Sequence, residues 1–190
     1  MNILSDQSNL WIATVAGDQD AYALLHKNLY PSLYHYLLKM VKDEELADDL
    51  LQDVFIKIWT KRVQIGEMKN VKAYFFTAAR STAINHFRRV KLVNEKLERY
   101  PELEMEFNQE DVIIAAELNS NLKLVITEAL NNLPARQREI IYLKFYEDMD
   151  YAKIAEVTGI RYQSVINHVF RAIQTLRKAF RDQTEFLQMA

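Results

Sequence analysis

The sequence predicts an all-α fold in which two small helical domains are joined by an acidic linker. Three observations carry this. The 190 residues include only three glycines and three prolines, too few for the tight turns of a hairpin-rich β-protein. Apolar residues recur at spacings of three, four and seven along most of the chain, the period of helices with one buried face. Charge is segregated: six basic and no acidic residues lie between Lys69 and Lys91, six acidic and no basic between Pro101 and Ser120, and five basic and no acidic between Arg161 and Arg181. The expected domains are 1–92 and 118–190, with the linker at 93–117.

The elements follow in order. Asp18–Met40 reads as one or two helices with Ala21, Leu24, Leu25, Leu29, Leu33, Tyr36, Leu37 and Met40 inward. Asp43 suits the N-cap of the next helix, whose stripe is Leu46, Ala47, Leu50, Leu51, Val54, Phe55, Ile58 and Trp59, with Asp48, Asp49, Gln52, Asp53 and Lys57 opposite. A loop around 64–70 precedes a basic helix over Val71–Val90, buried through Ala73, Phe76, Ala83, Phe87 and Val90. Periodicity is lost over Leu92–Asp111, which contains Pro101 and reads as linker. Helix resumes over Val112–Leu133 through Leu122, Val125, Ile126, Ala129, Leu130 and Leu133. Pro134 opens a short helix, where its missing N–H costs nothing, buried by Ile140, Ile141 and Phe145. Asp150 caps Tyr151–Thr158, Gly159 ends it, and a longer helix runs from about Tyr162 to Arg181 on an inner stripe of Val165, Val169, Ala172, Ile173, Leu176 and Phe180.

Several classes of function are excluded. There is no cysteine, hence no disulfide scaffold, thiol nucleophile or thiolate zinc site. No Gly-rich phosphate loop of the P-loop or dinucleotide type occurs. His26 and His35 are nine residues apart, about opposite faces of one helix, and neither an HExxH nor a GxSxG string is present, so no enzyme, metal or cofactor is expected. The segment Met1–Asp6 lacks the basic start of a secretion signal, and apolar runs such as Val112–Ala116 are far too short to span a bilayer. A soluble, cytoplasmic protein without membrane insertion is expected.

The short helix, the Gly159 turn and the basic second helix make a helix-turn-helix. Its second helix directs Tyr162, Gln163, Ile166, Asn167, Phe170, Arg171 and Gln174 outward, and Asn, Gln and Arg are the side chains that pair bidentately with base edges in a major groove. The same pattern also fits a helical hairpin in a bundle, and charge runs also fit solvated helix faces.

The residues Leu133-Pro134-Ala135-Arg136-Gln137-Arg138-Glu139, Tyr151-Ala152-Lys153-Ile154-Ala155-Glu156 and Val165-Ile166-Asn167-His168-Val169-Phe170-Arg171-Ala172 resemble region 4 of bacterial sigma-70-type sigma factors. The N-terminal half resembles region 2. Asp48 to Trp59 is similar to the polymerase-binding helix, and Asn70 to Phe76 with Ala83 to Arg89 to the −10 promoter segment. With no room for a folded region 3, the chain resembles the small extracytoplasmic-function (ECF) class. A plain helix-turn-helix regulator would account for 118–181 alone and leave both N-terminal matches unexplained.

The resemblance implies an initiation subunit whose partners are core RNA polymerase, promoter DNA and an anti-sigma factor. It assigns polymerase binding to Asp49, Gln52, Asp53 and Ile56. It assigns −10 DNA contact to Asn70, Lys72, Tyr74, Ser81 and Asn85 near bases and Arg80, Arg88 and Arg89 on phosphates. For the −35 element it implies Gln163, Asn167, His168, Phe170, Arg171 and Lys178. The acidic stretch Glu102–Asp111 would pass through the basic active-site channel of the polymerase. With no cysteine in the chain, any redox sensing must reside in a partner.

Overall fold

A computed structural model describes residues 3–93, 105–111 and 120–189. Regular structure within them is helical, without a strand: α1 (Ile3–Val15), α2 (Gln19–Val41), α3 (Glu44–Ile65), α4 (Val71–Val93), α5 (Ser120–Asn131), α6 (Ala135–Phe145), α7 (Tyr151–Thr158) and α8 (Tyr162–Met189). A single 3-10 turn spans Gln109–Asp111. No helix among the described residues is long and apolar enough to cross a membrane. The chain divides into two compact units, most of the first being Met1–Pro101 and the second comprising Glu102–Ala155 and Ile160–Ala190.

The first unit is a bundle in which α2 packs against α1, α3 and α4. Local chemistry sets its helix ends. Asp18 accepts the Asp20 and Ala21 N–H groups at 2.9 and 3.0 Å, and Asp43 accepts that of Leu46 at 3.0 Å, each relieving an orphan donor of the first turn. Gly66, at φ 63°, closes α3, and its carbonyl accepts the buried Trp11 indole N–H at 2.7 Å. Leu25, Leu29, Leu33, Tyr36 and Leu37 of α2 meet Leu51, Val54 and Ile58 of α3 and Phe75, Phe76, Ala79 and Ala83 of α4 in the core. Helix α2 is continuous despite Pro31. Helix α1, outside the elements expected from sequence, contributes Trp11.

Two apolar expectations in this unit fail. Leu24 is exposed, because it sits roughly 140° around the helix from the stripe centred near Leu25 and Leu29, at ~100° per residue. Val90 is exposed, since it lies two turns beyond Ala83, the last buried residue among those of α4 whose side chains are described. Trp59 and Phe87 are half-buried.

In the second unit α5 and α6 pack on α8, and the 3-10 turn packs on α5. Ile126, Ala129, Leu130, Leu133, Ile140, Ile141, Tyr142, Ile154, Val165, Val169 and Ala172 are buried. Helix α8 continues past Arg181, and Ile173, Leu176 and Phe180 are half-buried. Phe145 is exposed, because it is the last residue of α6, beyond the run Glu139–Leu143 that is buried on every side. The expected helix over 112–119 and the side chain of Leu122 fall outside the described residues.

The acidic segment differs most from expectation. Met105–Asp111 belongs to the second unit, with Met105 and Phe107 buried. The Asn131 side chain pairs with the Phe107 backbone as a neighbouring strand would: the Phe107 N–H donates to Asn131 Oδ1 and Asn131 Nδ2 donates to the Phe107 carbonyl, both at 2.8 Å. The Phe107 ring lies 5.5 Å from that of Tyr146, which stacks on Tyr142 at 5.3 Å. Asn108 and Asp111 then hold the 3-10 turn by reciprocal backbone–side-chain bonds. Two apolar side chains and one amide thus tie down a segment that carries Glu106, Glu110 and Asp111.

Candidate functional site

The first candidate face lies on α3. Asp49, Gln52, Asp53 and Ile56 fall on one side at spacings of three and four, and all four are exposed. The large apolar side chain of Ile56 stands in solvent at 63% exposure, with polar groups around it as at the rim of a contact surface. The rim is ordered by neighbours within the unit. Gln52 Nε2 donates to Asp48 Oδ2 at 2.8 Å, and Lys57 Nζ pairs with Asp53 at 3.0 Å. The Tyr30 hydroxyl donates to Asp48, and that bond chiefly pushes the phenol up to about 12.

Beside this face is a groove of about 530 Å³ lined by Gln19, Tyr22, His26, Gln52, Phe55, Ile56 and Trp59. The Tyr22 ring packs 5.0 Å from Trp59 and its hydroxyl donates to the Phe55 carbonyl at 2.6 Å, while the Arg62 guanidinium caps the other end 4.0 Å over Trp59. Tyr22, His26 and Trp59 were not singled out from sequence as site residues. The signal available was the one-turn repeat of Tyr22, His26, Tyr30 and Tyr34 on α2, but only the α2–α3 packing shows that it runs along Phe55 and Trp59.

The second face lies on α4. Tyr74, Ser81, Asn85 and Arg88 share one side, on spacings of seven, four and three, opposite Phe76, Ala79 and Ala83; Ser81, Asn85, Arg88 and Arg89 are exposed and Tyr74 is half-buried. Lys72 and Arg80 fall outside that line and are half-buried, with the Lys72 ammonium 5.7 Å over the Phe76 ring. Asn70 caps α4, its Oδ1 accepting the Ala73 N–H at 2.9 Å. That bond commits the oxygen of a residue expected near bases. Phe75 and Phe76 are fully buried core.

The third face lies on α8. The helix opens at Tyr162, with the Arg161 carbonyl accepting the N–H groups of Ser164 and Val165 at 2.8 and 3.1 Å. Asp150 caps α7 through the Lys153 N–H at 2.9 Å, and that bond above all holds its carboxyl below the usual carboxylate range. Gly159 turns the chain at φ 69°, where a side chain would be strained, and the Tyr151 and Tyr162 rings meet edge to face at 6.3 Å. Opposite buried Val165, Val169 and Ala172, one exposed line holds Gln163, Asn167, Phe170, Arg171, Gln174 and Lys178. Ile166 is half-buried at one flank of that line and His168 at the other. Phe170 stands at 63% exposure. The line combines base-pairing side chains, cations and an aromatic surface, as a major-groove reader requires.

Residues 25–92 match the family described as sigma-70 region 2, and residues 123–176 match sigma-70, region 4. Among curated relatives, the ECF RNA polymerase sigma factor SigL of Mycobacterium tuberculosis is 28% identical over 172 residues, covering 87% of this chain and 94% of its own. The ECF RNA polymerase sigma factor SigX of Bacillus subtilis is 23% identical over 163 residues, 84% of each chain. Among solved structures, the fold is similar to that of the sigma factor RpoE of Bartonella quintana, crystallised with the anti-sigma factor NepR, at a TM-score of 0.62 and 23% identity over 84% of this chain and 96% of that one. With both family regions matched in order along most of its length, the chain belongs to the sigma-70 family of RNA polymerase sigma factors, in its ECF class.

Proposed function

We propose that the two units divide the work of an ECF sigma factor between a polymerase-docking and −10-contacting N-terminal unit and a −35-reading C-terminal unit. Asp49, Gln52, Asp53 and Ile56 dock core polymerase, with Ile56 and the adjoining groove as the apolar centre and the carboxylates as a register-setting rim. Tyr74, Ser81, Asn85 and Arg88 meet the −10 element together with Arg89; Asn70, Lys72 and Arg80 stand off that line and act at its edges. Opening the duplex costs a few kcal/mol of unstacking per base, offset by stacking and phosphate contact along α4. Gln163, Asn167, Phe170 and Arg171 read the −35 element, with His168 and Lys178 at its backbone. An anti-sigma factor holds the chain inactive, and the chain acts in the cytoplasm. The observation that carries this reading is the coexistence of three exposed polar helix faces, on α3, α4 and α8, with an exposed apolar or aromatic side chain centred on the first and third.

The test is reconstitution with core polymerase. Wild-type chain should co-elute with core enzyme and start transcription at its promoter. A folded wild-type chain that never binds polymerase, while binding duplex DNA tightly alone, would replace this reading with that of a free-standing DNA-binding regulator.

A further inference from the structure

His168 is half-buried on α8, the helix that packs on α5 and α6. Its Nδ1 is shut off from solvent without a hydrogen-bond partner. Two cations act on it: Arg171, three residues along α8 at the exposed face, and Arg136 in the first turn of α6, whose Nη1 bonds buried Glu139 at 3.2 Å. Burial first, then the charges of Arg136 and Arg171, hold the imidazole below its usual range. Among the described residues no charge of α5, the other helix packed on α8, contributes to that shift.

We propose that DNA binding by the C-terminal unit is proton-linked through His168, the ring taking up one proton from solvent when a backbone phosphate settles against Arg136 and Arg171. This rests on the reading of α8 as the DNA-facing helix. The physical reason is local. In the free chain an imidazolium would feel the charge of two guanidinium groups with part of its hydration stripped, so the neutral ring is favoured. A phosphate brought against the arginines cancels their repulsion and adds an anionic partner, so the charged ring is favoured in the complex. The sign follows from linkage: where the complex binds more protons than the free chain, affinity rises as pH falls, by at most tenfold per pH unit for one proton.

The test uses the full chain and a fluorescent duplex of about 30 base pairs of random sequence at low salt, since the coupling is to phosphate and not to base identity. Binding is measured between about pH 8 and about pH 5.5, across the histidine range, for wild type, His168→Gln and Arg136→Gln. His26, His35 and His86 are common to all three proteins, so differences in slope isolate His168. Wild-type affinity should rise more steeply with falling pH than that of His168→Gln, by several-fold over the range, whatever offset the substitution gives the two proteins near pH 8. Arg136→Gln should bind more weakly throughout and with a shallower slope than wild type. In NMR spectra of the wild-type full chain, the His168 ring should titrate at higher pH with duplex than without, a readout that does not depend on how any variant folds. Equal slopes for wild type and His168→Gln, or one ring titration with and without duplex, overturn the proton linkage while leaving the DNA-facing reading standing. Absence of binding at every pH removes that reading, and the linkage with it.

Discussion

The two units reach their exposed faces by different routes. In the N-terminal unit α3 is enclosed by α1, α2 and α4, and the polar rim of its face is held by bonds within the unit, Asp53 to Lys57 and Gln52 and Tyr30 to Asp48. Long helices supply that core without help. In the C-terminal unit α6 is 11 residues long, and short helices draw nearly all their stability from packing. There the core is completed by Met105 and Phe107, borrowed from an acidic stretch and pinned by Asn131. A small unit with one long helix face exposed fills its core from the adjoining acidic stretch.

The sharpest way to break this contrast is Phe107→Ala. Removing a buried phenyl group costs about 3–5 kcal/mol, and the loss should fall on the C-terminal unit alone. Both tryptophans, Trp11 and Trp59, lie in the N-terminal unit, so their fluorescence should report an unmoved transition while circular dichroism shows an earlier loss of helix. Coincident, unmoved transitions by both probes would show that the segment is not part of the core.

The next largest effect concerns the α3 face. Asp53→Arg places a cation where the proposed docking surface presents a carboxylate. We expect a loss of about 2–5 kcal/mol in polymerase binding, the scale of a disrupted interfacial charge, read as lost co-elution with core enzyme. Thermal stability should move by no more than about 0.5 kcal/mol, because the pair with Lys57 is exposed. Retained polymerase binding by a folded Asp53→Arg, Gln52→Ala double variant would remove this face from the docking surface.

On α8, Asn167→Ala should cost about 1–3 kcal/mol on the cognate promoter and far less on random duplex, as for a base contact. Equal losses on both would reduce Asn167 to a general contact. Asp150→Ala tests the support beneath that helix, and about 1 kcal/mol of stability is expected from the lost cap. Because the carboxyl is held below its usual range, the wild-type contribution is full above the ordinary carboxylate pKa and fades as pH falls through the lowered value. Denaturant midpoints of the two proteins should therefore converge in acid. The smallest effect belongs to Lys178→Ala, which should weaken all duplexes alike and reduce the salt slope of binding by about one.

Sequence by itself determined the helical class, most helix starts and the composition of the three faces, because these depend on neighbours within a turn or two. The carboxylates of Asp18, Asp43 and Asp150 and the glycines Gly66 and Gly159 act on backbone a few residues away, and the 3.6-residue period places Gln163, Asn167 and Arg171 opposite Val165 and Val169 wherever α8 packs. Tertiary structure decided what distant chain does to those local patterns. Periodicity placed Leu24, Val90 and Phe145 inside, but a stripe has no knowledge of where its partner helix ends or how wide its contact is. It aligned Tyr22 with His26 but did not show that they line a groove with Trp59, nor that Asn131 reaches back 24 residues to bind the Phe107 backbone. The acidic segment reads as solvated linker because its anchoring side chains follow no helical period: Met105 and Phe107 alternate with Glu104 and Glu106 over a run too short to mark an element, and their burial depends on partners such as Asn131 and Tyr146 that only the folded unit brings to them.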